Sequence, residues 1–238
     1  TTQINLNNSS GSPLETDVTM FLYEAGTTNL KYTFTHTLNR LGNPDTLIID
    51  PSLKYDLVVN TIPLTEKKDI VLQKNIHNTI EVDAPQGFIR VRYINALKPY
   101  QIDARVLRQG DNTTLNVQKV GVTDKYLVGT YQLEILTLPR IYIALDVNQS
   151  VITDVDIKAP GFAKYLSSNT LTGQVFMKND NGTWDWVCNL ENNSRSGEVR
   201  LQPGAYRMIY RPMKLKSSTY TMQKEFRIHS NKTTSIRL

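Results

Sequence analysis

The stretch YDLVVNTIP, from Tyr55 to Pro63, occurs a second time as YQLEILTLP, from Tyr131 to Pro139. In both copies a proline follows the tyrosine eight residues later, and runs such as FIRVRYI and AYRMIYR elsewhere in the chain alternate between polar and apolar residues. Alternation with a period of two is typical of a β-strand that buries one face. A third copy, YRMIYRP, begins at Tyr206, so the tyrosines are 76 and 75 residues apart. The chain is therefore predicted to repeat one β-rich unit three times.

A second repeated phrase marks the boundaries between the units. VDAPQGF (residues 82–88) matches IKAPGF (residues 157–162), and the two prolines are 75 residues apart. We therefore predict units at residues 1–83, 84–157 and 158–238. Proline restricts the residue before it and glycine permits a sharp bend, so the units are expected to be joined with limited freedom.

The sequence between these phrases is also β-like. Turns such as EAGTTN, RQGDNTT and KNDNGT separate short alternating runs, and their Gly and Asn residues accept the positive φ of tight hairpins. No long window keeps the period of an amphipathic helix. We predict an all-β chain of three tandem small antiparallel β-sandwiches, either immunoglobulin-like or transthyretin-like, since both strand orders give this pattern. Units of this size bury a marginal core, so contacts between them are expected to add stability.

Two resemblances accompany the repeat. LQPGAYRM (residues 201–208) resembles the Leu-x-Pro-Gly-x-Tyr signature of transthyretin-like, carboxypeptidase-regulatory and collagen-adhesin B-type sandwiches. YDLVVNTIP, IEVDAPQG and the closing SSTYTMQKEFRIHSNKTTSIRL resemble the β-rich region that follows the von Willebrand factor A domain in some bacterial envelope proteins. This second resemblance covers most of the chain and implies an extracytoplasmic location, in the periplasm or at the cell surface. The sequence has no Asp-x-Ser-x-Ser motif, so the metal chemistry of the A domain is not carried over.

Composition limits the other classes of protein. The chain is 39% hydrophobic and 21% charged, which is typical of a folded domain. No apolar run approaches the ~18 residues that cross a bilayer, so we predict no transmembrane segment. The polar start TTQINLNNSSGSP resembles a linker rather than a signal peptide. The single cysteine, Cys188, can form neither an internal disulfide nor a thiolate metal cage.

No arrangement of residues in the sequence points to catalysis. The three histidines, His36, His77 and His229, lie far apart and match no metal-ligand spacing. Carboxylates such as Asp154 and Asp156 could pair as a glycosidase acid and base, but a chain with 22 acidic residues offers many such pairs. Gly-rich phosphate loops and Gly-x-Ser-x-Gly elbows are absent from the sequence. We therefore predict a protein that is not an enzyme and that binds no metal and no cofactor.

The two tryptophans admit two interpretations. Trp184 and Trp186 follow the turn KNDNGT, and strand alternation would place them on one face with Cys188 and Leu190. Exposed rings could stack on a sugar, and a carbohydrate-binding module is therefore the alternative function. The matching positions of the first two units are also apolar: Leu30, Tyr32, Leu115 and Val117. From this match we predict that both tryptophans belong to the core of the third sandwich.

Charge is distributed unevenly over the predicted units. Lys and Arg number 6, 8 and 13 in the three units in chain order, against 10, 7 and 5 for Asp and Glu. The basic candidates in the last unit are Arg200, Arg207, Arg211, Lys214, Lys216, Lys224 and Arg227. An excess of one sign can steer a partner of opposite sign, so we predict another protein or an anionic envelope polymer as partner, although a solvated strand face explains the charge equally well. Nucleic acid is not expected, because no known binding motif accompanies the basic residues. The pattern leaves the oligomeric state open.

Overall fold

The computed structural model describes residues 1–214 and 221–238. Every regular element in this part of the chain is a β-strand, and the predicted all-β class of small sandwiches is confirmed. The same residues hold no helix that is long and apolar enough to cross a bilayer. The strands, in chain order, are β1 (Thr2–Asn7), β2 (Val18–Glu24), β3 (Leu30–His36), β4 (Thr46–Leu47), β5 (Lys54–Val59), β6 (Thr65–Val71), β7 (Asn78–Asp83), β8 (Gln86–Ile94), β9 (Asp103–Arg108), β10 (Thr114–Lys119), β11 (Thr123–Leu127), β12 (Gly129–Ile135), β13 (Ile141–Val147), β14 (Ile152–Lys158), β15 (Gly161–Lys178), β16 (Trp184–Asn189), β17 (Ser194–Leu201), β18 (Gly204–Pro212), β19 (Met222–Ile228) and β20 (Thr233–Arg237).

The strands form three successive groups, each with a four-stranded and a three-stranded arrangement. In the first group (β1–β7) the strand orders are β3-β2-β5-β6 and β4-β1-β7, and in the second group (β8–β14) they are β10-β9-β12-β13 and β11-β8-β14. In the third group (β15–β20) one long strand, β15, belongs to both arrangements, β16-β15-β18-β19 and β17-β15-β20. Paired strands are antiparallel except the first and last strands of each group, which run parallel.

Each group encloses its own hydrophobic cluster. The three clusters of buried residues span residues 4–82, 89–157 and 163–236. Ile62, from the loop after β5, packs against the second cluster instead of the first. The segments between the groups are two residues long, and their alanines, Ala84 and Ala159, are fully buried. Successive groups are therefore separate in their cores but closely connected.

The repeated tyrosine makes the same contact in all three groups. Tyr55, Tyr131 and Tyr206 lie on β5, β12 and β18, and each is at most 3% exposed. Their hydroxyl groups donate to the backbone carbonyl oxygens of Asp50, Leu127 and Gln202, over 2.8, 2.8 and 2.6 Å. A buried tyrosine hydroxyl needs a partner, and this bond also fixes the chain where it enters an inner strand of the sheet. The regularly spaced tyrosines that identify the repeat in the sequence are thus the residues that make this contact.

The glycines of the Ala-Pro phrases lie where another segment passes very close. A Cβ atom at Gly87 would be 2.1 Å from the carbonyl oxygen of Asn148, and one at Gly161 would be 2.3 Å from that of His229. Both distances are far below van der Waals contact, so any side chain would displace the backbone in a close-packed interior. The two glycines hold the first strand of a group against the turn that precedes its last strand.

One backbone hydrogen bond is repeated at the two junctions between groups. The amide of Leu127, at the end of β11, donates to the carbonyl oxygen of Ile62 over 2.8 Å. The amide of Gln202, directly after β17, donates to the carbonyl oxygen of Leu138 over the same distance. Ile62 and Leu138 occupy matching positions, each immediately before the proline of the repeated phrase. The loop after the tyrosine strand of one group therefore pairs with an outer strand of the next group.

Replacing Tyr206 by phenylalanine would leave the buried carbonyl oxygen of Gln202 without its donor. We expect the free energy of unfolding to fall by about 1–3 kcal/mol, because an unsatisfied buried polar group keeps its desolvation cost. Urea denaturation followed by circular dichroism measures the change. Tyr23→Phe is the matched control, since Tyr23 lies on β2 and makes no side-chain hydrogen bond within the described residues. Equal losses in the two variants would contradict the assigned role of the Tyr206 hydroxyl.

Candidate functional site

A β-bulge in β16 decides where the two tryptophans point. Phe176 of β15 pairs with Trp186, and the residue before it, Val175, pairs with Cys188. Val187, between Trp186 and Cys188, therefore has no partner on β15 and is the extra residue of the bulge. Val187 is buried and Cys188 packs against the third cluster, whereas Trp186 is 57% exposed. The extra residue interrupts the alternation of side chains along the strand. The prediction that Trp186 belongs to the core is therefore wrong.

Trp184 also lies outside the core. It pairs with Lys178 and shares the outer face of the sheet with Trp186. The guanidinium carbon of Arg207 lies 4.4 Å from the centroid of the Trp184 ring, and the Lys178 Nζ atom lies 5.9 Å from it. These are cation–π distances, so Trp184 is half-buried by two basic side chains rather than by the hydrophobic cluster. The core prediction is wrong for this residue too.

The comparison between units failed because the bulge occupies different positions. In the first two groups the bulge follows the first residue pair of the hairpin, whereas in the third it follows the third pair. Directly after the bulge, Tyr32, Asn116 and Cys188 each pair with a buried aliphatic residue of the neighbouring strand. These three residues are structurally equivalent, but the sequence alignment did not place them at the same position. Of the four apolar residues used in that alignment, Leu30 and Val117 are 47% and 53% exposed, whereas Tyr32 and Leu115 pack against the clusters of their groups. Apolar character at these positions is therefore not sufficient to assign a residue to the core.

The predicted basic residues occupy several surfaces. Three of them lie on the outer face that carries the tryptophans: Arg207, Arg211 and Arg227. On β18, Arg207 and Arg211 alternate with buried residues, and Arg227 pairs with Ala205, which alternates with them too. We define the aromatic–basic face by six residues: Phe176, Trp184, Trp186, Arg207, Arg211 and Arg227. Arg200 lies on β17 instead, and its guanidinium carbon is 6.0 Å from the ring centroid of Tyr100. Lys224 pairs with the core residue Met208, Lys214 follows β18, and Lys216 lies outside the described residues.

Polar side chains surround the exposed indole. The Trp186 Nε1 atom donates to Asn189 Oδ1 over 3.3 Å, and the Gln174 Nε2 atom donates to the same oxygen over 3.2 Å. Both amide side chains line a shallow hollow of about 340 Å³, which Arg211 and Tyr210 also border. An apolar ring beside amide and guanidinium groups can contact a sugar or a polar peptide.

The acidic residues considered for catalysis are already paired. Arg90 donates to Asp154 and Arg92 donates to Asp156, each over 2.6 Å, across the parallel strands β8 and β14. The hydrogen bond from Arg90 lowers the pKa of Asp154, which favours its ionised form. Among the described residues no group of three or more His, Cys, Asp and Glu side chains is arranged to hold a metal ion.

His36 and Cys188 are in structural surroundings. Both ring nitrogens of His36 face backbone carbonyl oxygens, those of Glu15 and Ile4, and burial lowers the pKa of the imidazole. Burial raises the pKa of the Cys188 thiol, which disfavours the reactive thiolate.

Sequence reasoning missed a buried carboxylate on the outer face of the second group. Glu134 is 4% exposed and accepts hydrogen bonds from Arg105, Arg140 and Tyr142. Burial raises the pKa of Glu134, but the hydrogen bonds from Arg140 and Tyr142 outweigh it, so the pKa is lowered overall. Arg105 and Tyr142 lie on the two strands that flank β12, and Arg140 lies in the turn before β13. These residues meet Glu134 only because the strands pair.

No family model and no curated protein matches the chain. Among solved structures it is similar to the Bacillus anthracis TIE protein, with 10% identity and a TM-score of 0.30, over 100% of this chain and 50% of that chain. It is also similar to the minor pilin of Streptococcus agalactiae (13% identity, TM-score 0.30, 64% of this chain and 94% of that one). The major pilin subunit of Bacillus cereus gives 11% identity, a TM-score of 0.26 and coverage of 100% and 97%. The chain spans half the length of the Bacillus anthracis protein, and similarity at this level leaves the resemblance to von Willebrand factor A-associated regions a prediction.

Quenching of tryptophan fluorescence distinguishes the exposed face from a core. Iodide should quench strongly and caesium weakly at low salt, because Trp186 is exposed on a face that also carries Arg207 and Arg211, which attract anions. Trp186→Phe should remove most of the iodide quenching, whereas Trp184→Phe should retain it. Stern–Volmer plots for the three proteins make the comparison, and iodide quenching that persists in Trp186→Phe would contradict the assignment.

Proposed function

We propose that the chain is a non-catalytic structural and interaction region of an extracytoplasmic bacterial protein. In this proposal residues 1–83, 84–157 and 158–238 are three β-sandwich units in a row. They serve as a scaffold and present surfaces to a partner protein or to an anionic polymer of the cell envelope. The repeated junction carries the proposal, because units that act independently are usually joined by long flexible linkers. The extracytoplasmic location rests on the resemblance in the sequence.

A buried carboxylate supports a fixed first junction. Glu15 belongs to the loop between β1 and β2 and is 5% exposed. Its carboxylate accepts hydrogen bonds from the backbone amide of Gln86 over 3.1 Å, from the Gln86 Nε2 atom over 3.3 Å and from the Gln149 side chain. Lys125 Nζ also donates to the carbonyl oxygen of Thr16 over 3.0 Å. Side chains of the first two units thus satisfy one another's buried polar groups.

An asparagine supports the second junction. The Asn231 Nδ2 atom donates to the carbonyl oxygen of Asn95 over 2.7 Å, and its Oδ1 atom accepts from the amide of Leu97 over 3.2 Å. The ring of Tyr100 packs near that of Phe162, with 6.2 Å between centroids. These contacts add to the backbone bond described above, so both junctions combine polar and apolar contacts in the way expected of a scaffold.

Glu15→Ala should weaken the first junction. The variant leaves the amide of Gln86 without an acceptor, and we expect the free energy of unfolding to fall by about 1–3 kcal/mol. Protease cleavage near residues 84–86 should also become faster. Urea denaturation and limited proteolysis measure the two effects. Glu66→Ala is the control, because Glu66 pairs with Lys68 on the surface, where an ion pair contributes little. Identical behaviour of the two variants would contradict a junction held by Glu15.

The second candidate function is a carbohydrate-binding module, and the exposure of Trp186 favours it. An exposed indole offers an apolar surface to a sugar ring, while Asn189 and Gln174 can hydrogen-bond its hydroxyl groups. Arg207 and Arg211 add positive charge to the same face, so an acidic polysaccharide fits better than a neutral one.

Affinity electrophoresis tests the aromatic–basic face. In gels that contain polygalacturonate the protein should migrate more slowly, whereas dextran should have no effect. Trp186→Ala and Arg211→Glu should each remove most of the retardation. Arg237→Glu is the control, since it makes the same charge change on β20, away from this face. If Arg237→Glu reduces the retardation as much as Arg211→Glu, net charge rather than this face explains the binding.

A further inference from the structure

A cleft of about 810 Å³ lies at the junction between the second and third groups. Residues 98–103 and 136–138 of the second group form one wall, and residues 198–202, with Pro160 and Phe162, form the other. Its size is within the usual range of ligand sites. The corresponding hollow at the first junction, which includes Ile62 and Lys125, is about 390 Å³. The second junction therefore has space that its own side chains do not fill.

Strand β17 borders this cleft with an open edge. Among the described strands it pairs only with β15. The amide of Phe162 on β15 donates to the carbonyl oxygen of Lys232, on the side away from β17. In an antiparallel pair both opposing residues bond across the pair or neither does, so its partner Arg200 directs its amide and carbonyl groups into the cleft. Glu198, two residues earlier, has the same orientation.

One rung of a ladder along this edge is already present. The Gln202 amide donates to the carbonyl oxygen of Leu138, as described above. The backbone amide and carbonyl groups of Arg200 and Glu198, which point to the same side of β17 as the Gln202 amide, have no backbone partner within the described residues. A strand edge with free amide and carbonyl groups is a template for pairing with another chain.

The Gln202 side chain adds a buried donor to the cleft. The residue is 7% exposed and lines the cleft, and its Nε2 atom has no hydrogen-bond partner in the part of the chain that the structure describes. Such a group keeps its desolvation cost until an acceptor is supplied. Each junction has this backbone bond, but among the described residues a buried carboxylate that satisfies side-chain donors, that of Glu15, is found only at the first.

Two cations lie in the same cleft. The Lys98 Nζ atom is 4.9 Å from the ring centroid of Phe162, and the guanidinium carbon of Arg200 is 6.0 Å from that of Tyr100. Neither is in a salt bridge with another described residue. Aromatic rings hold both side chains in place while their charges stay available to a partner.

We propose that the cleft binds an extended peptide of a partner protein, which adds as a strand to the open edge of β17 and places a carboxylate opposite Arg200. Directly opposed residues of neighbouring strands share a face, so this carboxylate lies near Arg200 and Lys98. Asp103 and Glu198 also line the cleft, so one acidic residue at this position fits better than a run of them. The inference rests on the proposed role as an interaction region and specifies the chemistry of its partner.

The test uses two labelled, capped heptapeptides and the whole chain. The first has the sequence Thr-Val-Thr-Glu-Thr-Val-Thr, and the second has lysine in place of the central glutamate. Fluorescence anisotropy at low salt should show binding of the glutamate peptide, with the lysine peptide weaker by about fivefold. Arg200→Glu should reverse this preference.

Two proline variants separate backbone pairing from charge. Glu198→Pro removes an amide that points away from β15, so the existing ladder stays intact. We expect this variant to bind the glutamate peptide about tenfold more weakly. Loss of the Glu198 carboxylate would by itself strengthen binding of an acidic peptide, so a weaker affinity reports the lost backbone hydrogen bond. Ser196→Pro is the matched control on the same edge, because the Ser196 amide donates to the Ser194 hydroxyl oxygen over 3.3 Å and lies outside the cleft.

Three results would overturn the proposal: no binding of either peptide, equal effects of the two proline variants, or an unchanged preference in Arg200→Glu. None of them would alter the stability of the Glu15→Ala variant. Failure of the peptide site and failure of the scaffold function are therefore distinguishable.

Discussion

The backbones of two residues, Leu127 and Gln202, each join a hydrophobic core to the neighbouring group of strands. The carbonyl oxygen accepts the hydroxyl of a buried tyrosine, and the amide of the same residue donates to the loop of the preceding group. A core and the adjoining junction are thus connected through a single peptide segment. Any shift of the tyrosine would displace that segment, and any shift of the junction would strain the tyrosine contact.

Three arginines among the last 81 residues lie on two separate surfaces. Arg207 lies against Trp184 and shares the outer face of the four-stranded arrangement with Arg211, whereas Arg200 lies on β17 at the junction cleft. The first surface presents side chains around a shallow hollow, and in the proposal above it takes an acidic polysaccharide. The second presents backbone groups along an edge, and it suits an extended peptide. Under the two binding proposals above, these surfaces would take different partners.

The repeat and the strand class were predictable because spacing and alternation are properties of the sequence itself, whereas the tyrosine was only a marker of the repeat and its hydroxyl contact was not predicted. The exposure of Trp186 was not predictable, because one extra residue at Val187 turns the indole to solvent and leaves no mark on the sequence pattern. Glu15 and Glu134 were also missed, since their partners come from other strands and loops. The open edge of β17 depends on which side of β15 each amide faces, and only the register of the strands determines this.

The parallel pairing of the first and last strands of each group has a mechanical consequence. Six residue pairs join β1 to β7, seven join β8 to β14, and five join β15 to β20. Tension that enters at the start of the first strand and leaves at the end of the last one pulls these neighbours past each other. All the hydrogen bonds between them are then sheared together, whereas in a hairpin they would be peeled apart one by one. Each group is thereby built to resist stretching along the direction of its chain.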